Sequence, residues 1–284
     1  MQIAVADQRM LILATQLSAD DAKKKAWEKK TVAFDAISQV TSLFSRPKDE
    51  DFELLYSEFR YQPFWHVLAH AKYVYDRSNT YQVATNAPEV QTVTFQKTDY
   101  EVTNGHVHIA VLEHCHEEEQ YEVFVDGLTG KVLDDLKRYK SFSTIVVKGA
   151  PEKQAPKGAI FVPPQARVSG IMREALSKMI KSIQADTILT EDVNVPSVDL
   201  YYRPVYAFQY RWKTKGKDAI VEIDGVTGEV RNGLRIFKEY FGKVVDRNFL
   251  FDIGADAAGI FIPGGSIAVK VAKRYIDSKK TKNK

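Results

Sequence analysis

The chain has 284 residues, of which 44% are hydrophobic, 27% are charged and 11% are aromatic, a composition that excludes extensive disorder. Its formal net charge is only +3 and its one cysteine is Cys115, which excludes a broadly basic nucleic-acid-binding surface and an intramolecular disulfide framework. The basic excess lies in residues 271–284, so we predict a basic tail and no specific nucleic-acid partner.

The first residues, MQIAVADQRMLILATQLSADD, lack the basic and then apolar pattern of a secretory signal. No stretch approaches the ~18 apolar residues that a membrane-spanning helix needs. We therefore expect a cytoplasmic protein with no transmembrane segment.

Two amphipathic helices are predicted in the order of the chain. Ser18 and Asp21 form a capping pair, and apolar residues then recur at helical spacing from Trp27 to Phe44. After two prolines, a second apolar stripe runs through residues 165–183, with charged residues on its other side. Each stripe needs a sheet or another helix to cover it.

Strand patterns follow each predicted helix. In the first half, Asn104-Gly105 separates two strand-like runs and predicts a hairpin, and the polar stretch 117–120 predicts a turn into YEVFVD. In the second half, PVYAFQYRW turns through KTKGKD into AIVEID. These patterns favour small antiparallel sheets.

One decapeptide occurs twice, as VFVDGLTGKV at 123–132 and VEIDGVTGEV at 221–230, within an ungapped match of 107–130 to 205–228. We interpret both copies as tight turns, in which the Asp accepts backbone N–H groups and the glycines adopt positive φ. The turn residues are Asp126, Gly127, Thr129, Gly130, Asp224, Gly225, Thr227 and Gly228. The alternative, a calcium loop, needs more carboxylates than the single one in each motif.

At this motif the sequence resembles the PepSY-like family of peptidase propeptides and YpeB-type proteins. The resemblance rests on YYRPVYAFQYRWKTKGKDAIVEIDGVTGEV and, more weakly, on HVHIAVLEHCHEEEQYEVFVDGLTGKV. It implies a small α+β fold that binds or restrains a partner rather than catalysing a reaction.

The predicted fold class is α+β, with two related units, each a helix packed on a small antiparallel β-sheet, and a C-terminal helix. The first unit covers 1–150 and the second covers 151–284. The C-terminal helix, 266–278, is apolar on one side and basic on the other. It either docks on the protein or makes peripheral contact with an anionic surface.

All six histidines lie between positions 66 and 116, together with Cys115. Imidazoles that share one strand face could converge on a metal. We predict no cofactor, with zinc as the alternative and Glu113 and Glu117 as its further oxygen donors. The predicted ligands are His106, His108, His114, His116, His66 and His70. The alternatives are a pH-sensitive patch and ordinary strand residues.

The sequence contains no nucleophile elbow, phosphate loop, zinc-protease or dinucleotide-binding motif. We therefore predict a non-enzymatic interaction protein that engages a protein or peptide through open sheet edges or the groove beside helix 165–183. A metal- or pH-sensing protein that uses the histidines is the alternative. An unrecognised hydrolase is the second alternative.

Overall fold

The computed structural model describes residues 1–34, 47–232 and 268–271, and most of them belong to β-strands. The α-helices are α1 (Ala19–Glu28) and α2 (Val168–Met179), and a 3-10 helix spans Asp134–Ser141. The strands are, in chain order, β1 (Gln2–Val5), β2 (Arg9–Leu13), β3 (Phe52–Ala84), β4 (Thr92–Phe95), β5 (Thr98–Thr103), β6 (His106–Asp126), β7 (Thr144–Val146), β8 (Ile160–Phe161), β9 (Thr187–Trp212), β10 (Lys217–Asp224), β11 (Val230–Asn232) and β12 (Ala268–Val271).

These strands form one mixed sheet with the order β11-β10-β9-β3-β6-β5-β4. Its centre is the antiparallel pair of β3, 33 residues long, and β9, 26 residues long. On the edge away from β3, β9 pairs in parallel with β1 and β2 and antiparallel with β10. The short strand β8 pairs with β3 in parallel. Three register shifts interrupt the β3–β9 ladder, as expected where such long strands must bend.

Alternating side chains explain why so much of the chain is extended. Along β3, the odd-numbered residues from Trp65 to Tyr73 are buried with α2 in the largest core cluster. Even-numbered residues near the middle of the sheet face the 3-10 helix, in a second cluster that contains Phe64, Phe124 and Tyr139. We call the first side the helix face and the second the opposite face.

The predicted fold class is wrong, because the chain does not form two units that each carry a helix on a small antiparallel sheet. The β3–β9 pair joins the two halves in one large mixed sheet. Moreover, α2 from the second half packs on β3 and β6 of the first, and α1 from the first half packs on β9 and β10 of the second. Each helix therefore covers the hairpin of the other half.

The two halves are related by an approximate two-fold axis in the middle of the β3–β9 ladder. Gln62 lies opposite Arg203 at this point, and Arg203 Nη2 donates a hydrogen bond to Gln62 Oε1 at 2.9 Å. Next to them, Pro63 and Pro204 begin the two equivalent hairpins. The first hairpin, β3–β6, is much longer than the second, β9–β10.

This two-fold arrangement changes which residues of the two halves are equivalent. The run RYQPFW is the first strand of a hairpin, and Tyr61-Gln62-Pro63 is the counterpart of Tyr202-Arg203-Pro204. The predicted turn at 117–120 does not exist, because β6 pairs with β3 without interruption from His106 to Asp126. The predicted Asn104-Gly105 hairpin is confirmed, with positive φ of 51° and 76°.

The twin decapeptide turns have the same hydrogen bonds. Asp126 Oδ1 accepts from the N–H groups of the second and third residues after it at 3.0 and 2.7 Å, and Asp224 Oδ1 does the same at 2.9 Å in both cases. Gly130 and Gly228 have φ of 71° and 70°. The O atom of the first glycine in each turn accepts two N–H groups of the segment that leads into a helix, 165–166 in one copy and 16–17 in the other.

Gly127 and Gly225 do not have the positive φ that the sequence suggested. Close approach explains them instead. A Cβ on Gly127 would lie 2.6 Å from Pro63 O, and one on Gly225 would lie 3.1 Å from Pro204 O. The turns therefore hold the start of each hairpin. At Gly127 only glycine lets the two backbones come this close, whereas at Gly225 a Cβ would be tight but not excluded.

The helices are shorter than predicted. Ser18 caps α1, accepting the Asp21 N–H at 3.1 Å, but α1 ends at Glu28, and the rest of the predicted helix from residue 35 to 44 lies outside the described residues. Of the predicted C-terminal helix, 268–271 form β12, a strand parallel to β1, and the remainder lies outside the described residues. In the part of the chain that the structure describes, no helix has the length and hydropathy needed to cross a membrane.

Candidate functional site

The histidines of β6 share one face but do not converge. His106, His108, His114 and His116 all lie on the opposite face, spread over ten residues, or about 33 Å at 3.3 Å per residue. His66 and His70 lie on the same face of β3, across from Phe124 and Gln120. The structure therefore places all six predicted ligands on one face of two paired strands, in a row rather than a cluster.

The partners of these histidines are single carboxylates or backbone groups. His114 Nδ1 lies 2.6 Å from Asp76 Oδ1, and His116 Nε2 lies 3.1 Å from Glu118 Oε1. The other proposed donors, Glu113 and Glu117, are odd-numbered and lie on the helix face, as Cys115 does. Within 1–34, 47–232 and 268–271, no three His, Cys, Asp or Glu side chains are grouped to hold a metal. Zinc binding stays a prediction.

His66 is the exception, since it is buried in a network that sequence reasoning missed. Its Nε2 lies 2.9 Å from Glu122 Oε1, and its Nδ1 lies 3.4 Å from Asp199 Oδ2. Arg9 donates to both oxygens of Asp199 at 2.7 and 2.8 Å, and Lys140 donates to Glu122. The imidazole is thus held between two carboxylates, each of which is also neutralised by a cation.

The carboxylates of this network are held in the ionised form. Burial raises the pKa of Asp199, but hydrogen bonds from His66 and Arg9 outweigh it, and the net pKa lies below the ordinary 3.8. Glu122 behaves in the same way: burial raises its pKa, the bonds from Lys140 and His66 lower it, and the net direction is down. The network joins β2, β3, β6 and β9 on the opposite face.

A second charged cluster lies beside the two-fold axis. Arg60 binds Glu58 at 2.8 Å and also binds Glu222, and Tyr139 donates a hydrogen bond to Asp224. The side chains are nearly inaccessible: Arg60 is 2% exposed, Glu222 5% and Asp224 2%. Burial raises the pKa of Glu222, and Arg60 only partly opposes this.

In both clusters the charged groups contact one another. In the first, His66 and Lys140 are bonded to carboxylates, and in the second, arginines, carboxylates and one tyrosine contact each other. The groups of the second cluster are closed to solvent. What both clusters do is tie strands together with charge-assisted hydrogen bonds.

The outer edge of β6 is the feature that stands out as a site. Phe124 O accepts from Leu133 N at 3.0 Å and Asp126 N donates to Lys131 O at 2.8 Å, so these even-numbered residues point their backbone groups away from β3. Because the register with β3 is unbroken, the same holds along the strand. The residues whose N–H and C=O groups point outward are His108, Ala110, Leu112, His114, His116, Glu118, Gln120 and Glu122.

Among the residues that the structure describes, no strand pairs with this edge between 108 and 123. The described residues occupy its two ends. At one end β5 pairs with residues 106 and 107, and at the other, segment 131–133 pairs with residues 124–126. An edge of this length exposes a row of backbone donors and acceptors that a further strand can satisfy.

Side chains along the edge change character with position. The stretch 108–112 is mostly apolar, and Leu112 is 54% exposed. Farther on, the glutamates of the helix face are already paired, Glu113 with Arg77 at 2.6 Å and both Glu117 and Glu119 with Lys181. Glu113 is therefore balanced by its own cation, whereas Glu117 and Glu119 share a single lysine.

The chain was compared with protein-family models, curated proteins and solved structures, and none of them gave a significant match. The PepSY-like resemblance therefore stays a prediction.

Proposed function

We propose that this is an interaction protein that accepts an extended segment of a partner as an additional strand on the outer edge of β6. The observation that carries the proposal is the row of outward backbone groups from His108 to Glu122, which pairs with no strand among residues 1–34, 47–232 and 268–271 and is bounded at both ends by the chain itself. Strand addition to an open sheet edge is a general mode of peptide recognition, with affinity from main-chain hydrogen bonds and specificity from alternating side chains.

The rest of the fold supports this use of the edge. The inner side of β6 pairs with β3 over its full length, and α2 packs against part of its helix face. The receptor edge is therefore already formed, so most of the conformational freedom lost on binding is that of the docking strand. A cytoplasmic location and the absence of an enzymatic activity stay predictions from the sequence.

Proline at an outward position tests the proposal. Ala110→Pro and Gln120→Pro each remove one outward N–H, and the pairing with β3 keeps its hydrogen bonds because only inward groups make them. Ala110→Ser, which keeps the N–H group, is the matched control. The probe is a phage-displayed library of 12-residue peptides selected on the wild-type chain.

We expect the selected peptides to bind wild type and Ala110→Ser and to lose binding to both proline variants, whose circular dichroism stays that of wild type. Peptides that bind the proline variants as well as wild type would contradict the proposal, and so would a selection that enriches none.

The metal- or pH-sensing alternative has one supporting observation, the three imidazoles that lie within 3.4 Å of carboxylates: His66, His114 and His116. Each of these imidazoles contacts one or two carboxylates rather than a set of metal ligands, an arrangement that suits a response to pH better than a metal site. We rank it second, because each pair is also a normal stabilising contact.

A further inference from the structure

The stretch of the β6 edge that no described strand covers can accept a copy of itself. It extends from residue 108 to residue 123, between β5 and the segment 131–133. An antiparallel strand related by a two-fold axis must use this interval symmetrically, so the axis passes close to its middle, at residue 115 or 116. Outward-pointing residues must also lie opposite outward-pointing residues for the hydrogen bonds to form.

The charges distinguish these two registers. With the axis at 116, Glu118 of one copy lies opposite His114 of the other, twice by symmetry. These are well-exposed side chains, Glu118 at 65% and His114 at 75%, and in the single copy they contact His116 and Asp76. With the axis at 115, Glu118 lies opposite Leu112 and His114 opposite His116, which places an exposed carboxylate against an apolar side chain. That register also sets Glu122 opposite His108, but His66 and Lys140 already hold this carboxylate. With the axis at 116, Glu122 lies opposite Ala110. Opposite charges stabilise cross-strand pairs and like charges destabilise them.

Apolar residues agree with the axis at 116. In that register Val111 lies opposite Tyr121 and Ile109 opposite Val123 on the helix face. The apolar residues near the start of each β6 therefore pair with the apolar residues near the end of the other β6. The Glu113–Glu119 contact that also results is lessened by the cations beside it, since Arg77 pairs with Glu113 and Lys181 is shared by Glu117 and Glu119.

We propose that the strand accepted by β6 is β6 of a second copy of this chain, paired antiparallel with the two His116 residues opposite each other. This inference rests on the proposed function and names its partner. The pairing is isologous and closed, because both copies use the same edge and no further copy can add there. The product is one continuous sheet through two molecules, with α2 of both copies on the same side.

Disulfide trapping reads the register directly. In a Cys115→Ser background, His116→Cys places the two thiols on a hydrogen-bonded pair, about 5.5 Å apart between Cα atoms, which a disulfide can span. Gln120→Cys in the same background is the matched control, because the two cysteines would be eight residues out of register, about 26 Å along the strand. We expect oxidation to give a covalent dimer with His116→Cys and none with Gln120→Cys.

Sedimentation of the full chain over a range of concentrations gives the affinity. Ala110→Pro removes one hydrogen bond from each copy, two in the dimer, so the dimer dissociation constant should rise about 30-fold, and Ala110→Ser should leave it near that of wild type. A wild-type chain that stays monomeric at all concentrations would overturn the inference. Trapping through Gln120→Cys instead, or a dimer that Ala110→Pro does not weaken, would overturn it too.

The failure of this inference and that of the proposed function can be separated. Monomeric wild type that still binds selected peptides, and loses them in Ala110→Pro, would reject the second copy as the partner and leave strand addition standing. Monomeric wild type with no edge-dependent peptide would reject both.

Discussion

Replacing Gly127 by alanine tests how the twin turns hold the hairpins. The new Cβ would lie 2.6 Å from Pro63 O and 2.8 Å from Pro63 C, and both are backbone atoms that cannot rotate away. The turn must move, which disturbs the 3.0 Å hydrogen bond from Gly127 N to Pro63 O. Overpacking costs about 1–3 kcal/mol and the lost bond about 0.5–1.5 kcal/mol, so we expect unfolding to be easier by about 2–4 kcal/mol.

The equivalent glycine supplies the matched control. At Gly225 the nearest atoms would lie 3.1 Å from the new Cβ and two of the three belong to the Pro204 ring, so small shifts relieve the contact and the cost should be about 1 kcal/mol. Gly105→Ala reports strain alone, since φ is 76° and no atom lies within 4 Å.

Urea denaturation followed by tryptophan fluorescence measures all three variants. The expected loss of unfolding free energy for Gly127→Ala corresponds to a fall in melting temperature of about 4–12 °C. A cost below about 0.5 kcal/mol for Gly127→Ala, or an equal cost for Gly225→Ala, would contradict the close approach of Gly127 to Pro63.

Three further predictions concern packing and charge. The fragments 1–150 and 151–284 should each lack the dispersed NMR spectrum of a folded domain and regain it when mixed, since each helix covers the other half's hairpin; a folded isolated fragment would contradict the exchange. The free energy of unfolding should fall as the pH drops below 3.8, the ordinary pKa of an aspartate, because the pKa of Asp199 in the folded chain is lower. It should fall less in Asp199→Asn, and equal slopes of unfolding free energy against pH in the two chains, from urea titrations, would refute this. Tyr139→Phe should cost about 1–3 kcal/mol by urea denaturation, because Asp224 loses a buried donor; an unchanged midpoint would argue against that bond.

Local signals in the sequence predicted local structure well. Ser18 and Asp21 mark the start of α1, and Asn104-Gly105 marks a hairpin, because capping and positive φ depend on a few adjacent residues. The repeated Asp-Gly-x-Thr-Gly turn was readable for the same reason.

Long-range pairing was not readable in the same way. The run 117–120 looks like a polar turn, but in β6 its glutamates alternate between faces, and Lys181 pairs with those on the helix face. An amphipathic helix shows that it needs an apolar partner and does not show which one, so the exchange of α1 and α2 between hairpins was missed. One available signal was overlooked, the repeat of Tyr-x-Pro at 61–63 and 202–204.

The candidate site was only partly predictable. The histidines of β6 mark the right strand, but its open edge depends on which neighbours are present, and the sequence of β6 does not contain that information. The buried groups Asp199, Arg60 and Arg203 lie in strand-like runs, where a charged residue suggests exposure unless its partner on a distant strand is known.

Residue-resolved hydrogen exchange along β6 tests the central claim most directly. In the dilute, unbound chain, the N–H groups of Ala110, Leu112, Gln120 and the other even-numbered residues should exchange fast, while those of Ile109, Val111 and Tyr121, bonded to β3, should be protected. At high concentration, or with a selected peptide, the even-numbered groups should become protected as well. Even-numbered groups that are already as protected as the odd-numbered ones in the dilute chain would show that the edge is covered, and the account of its function would be wrong.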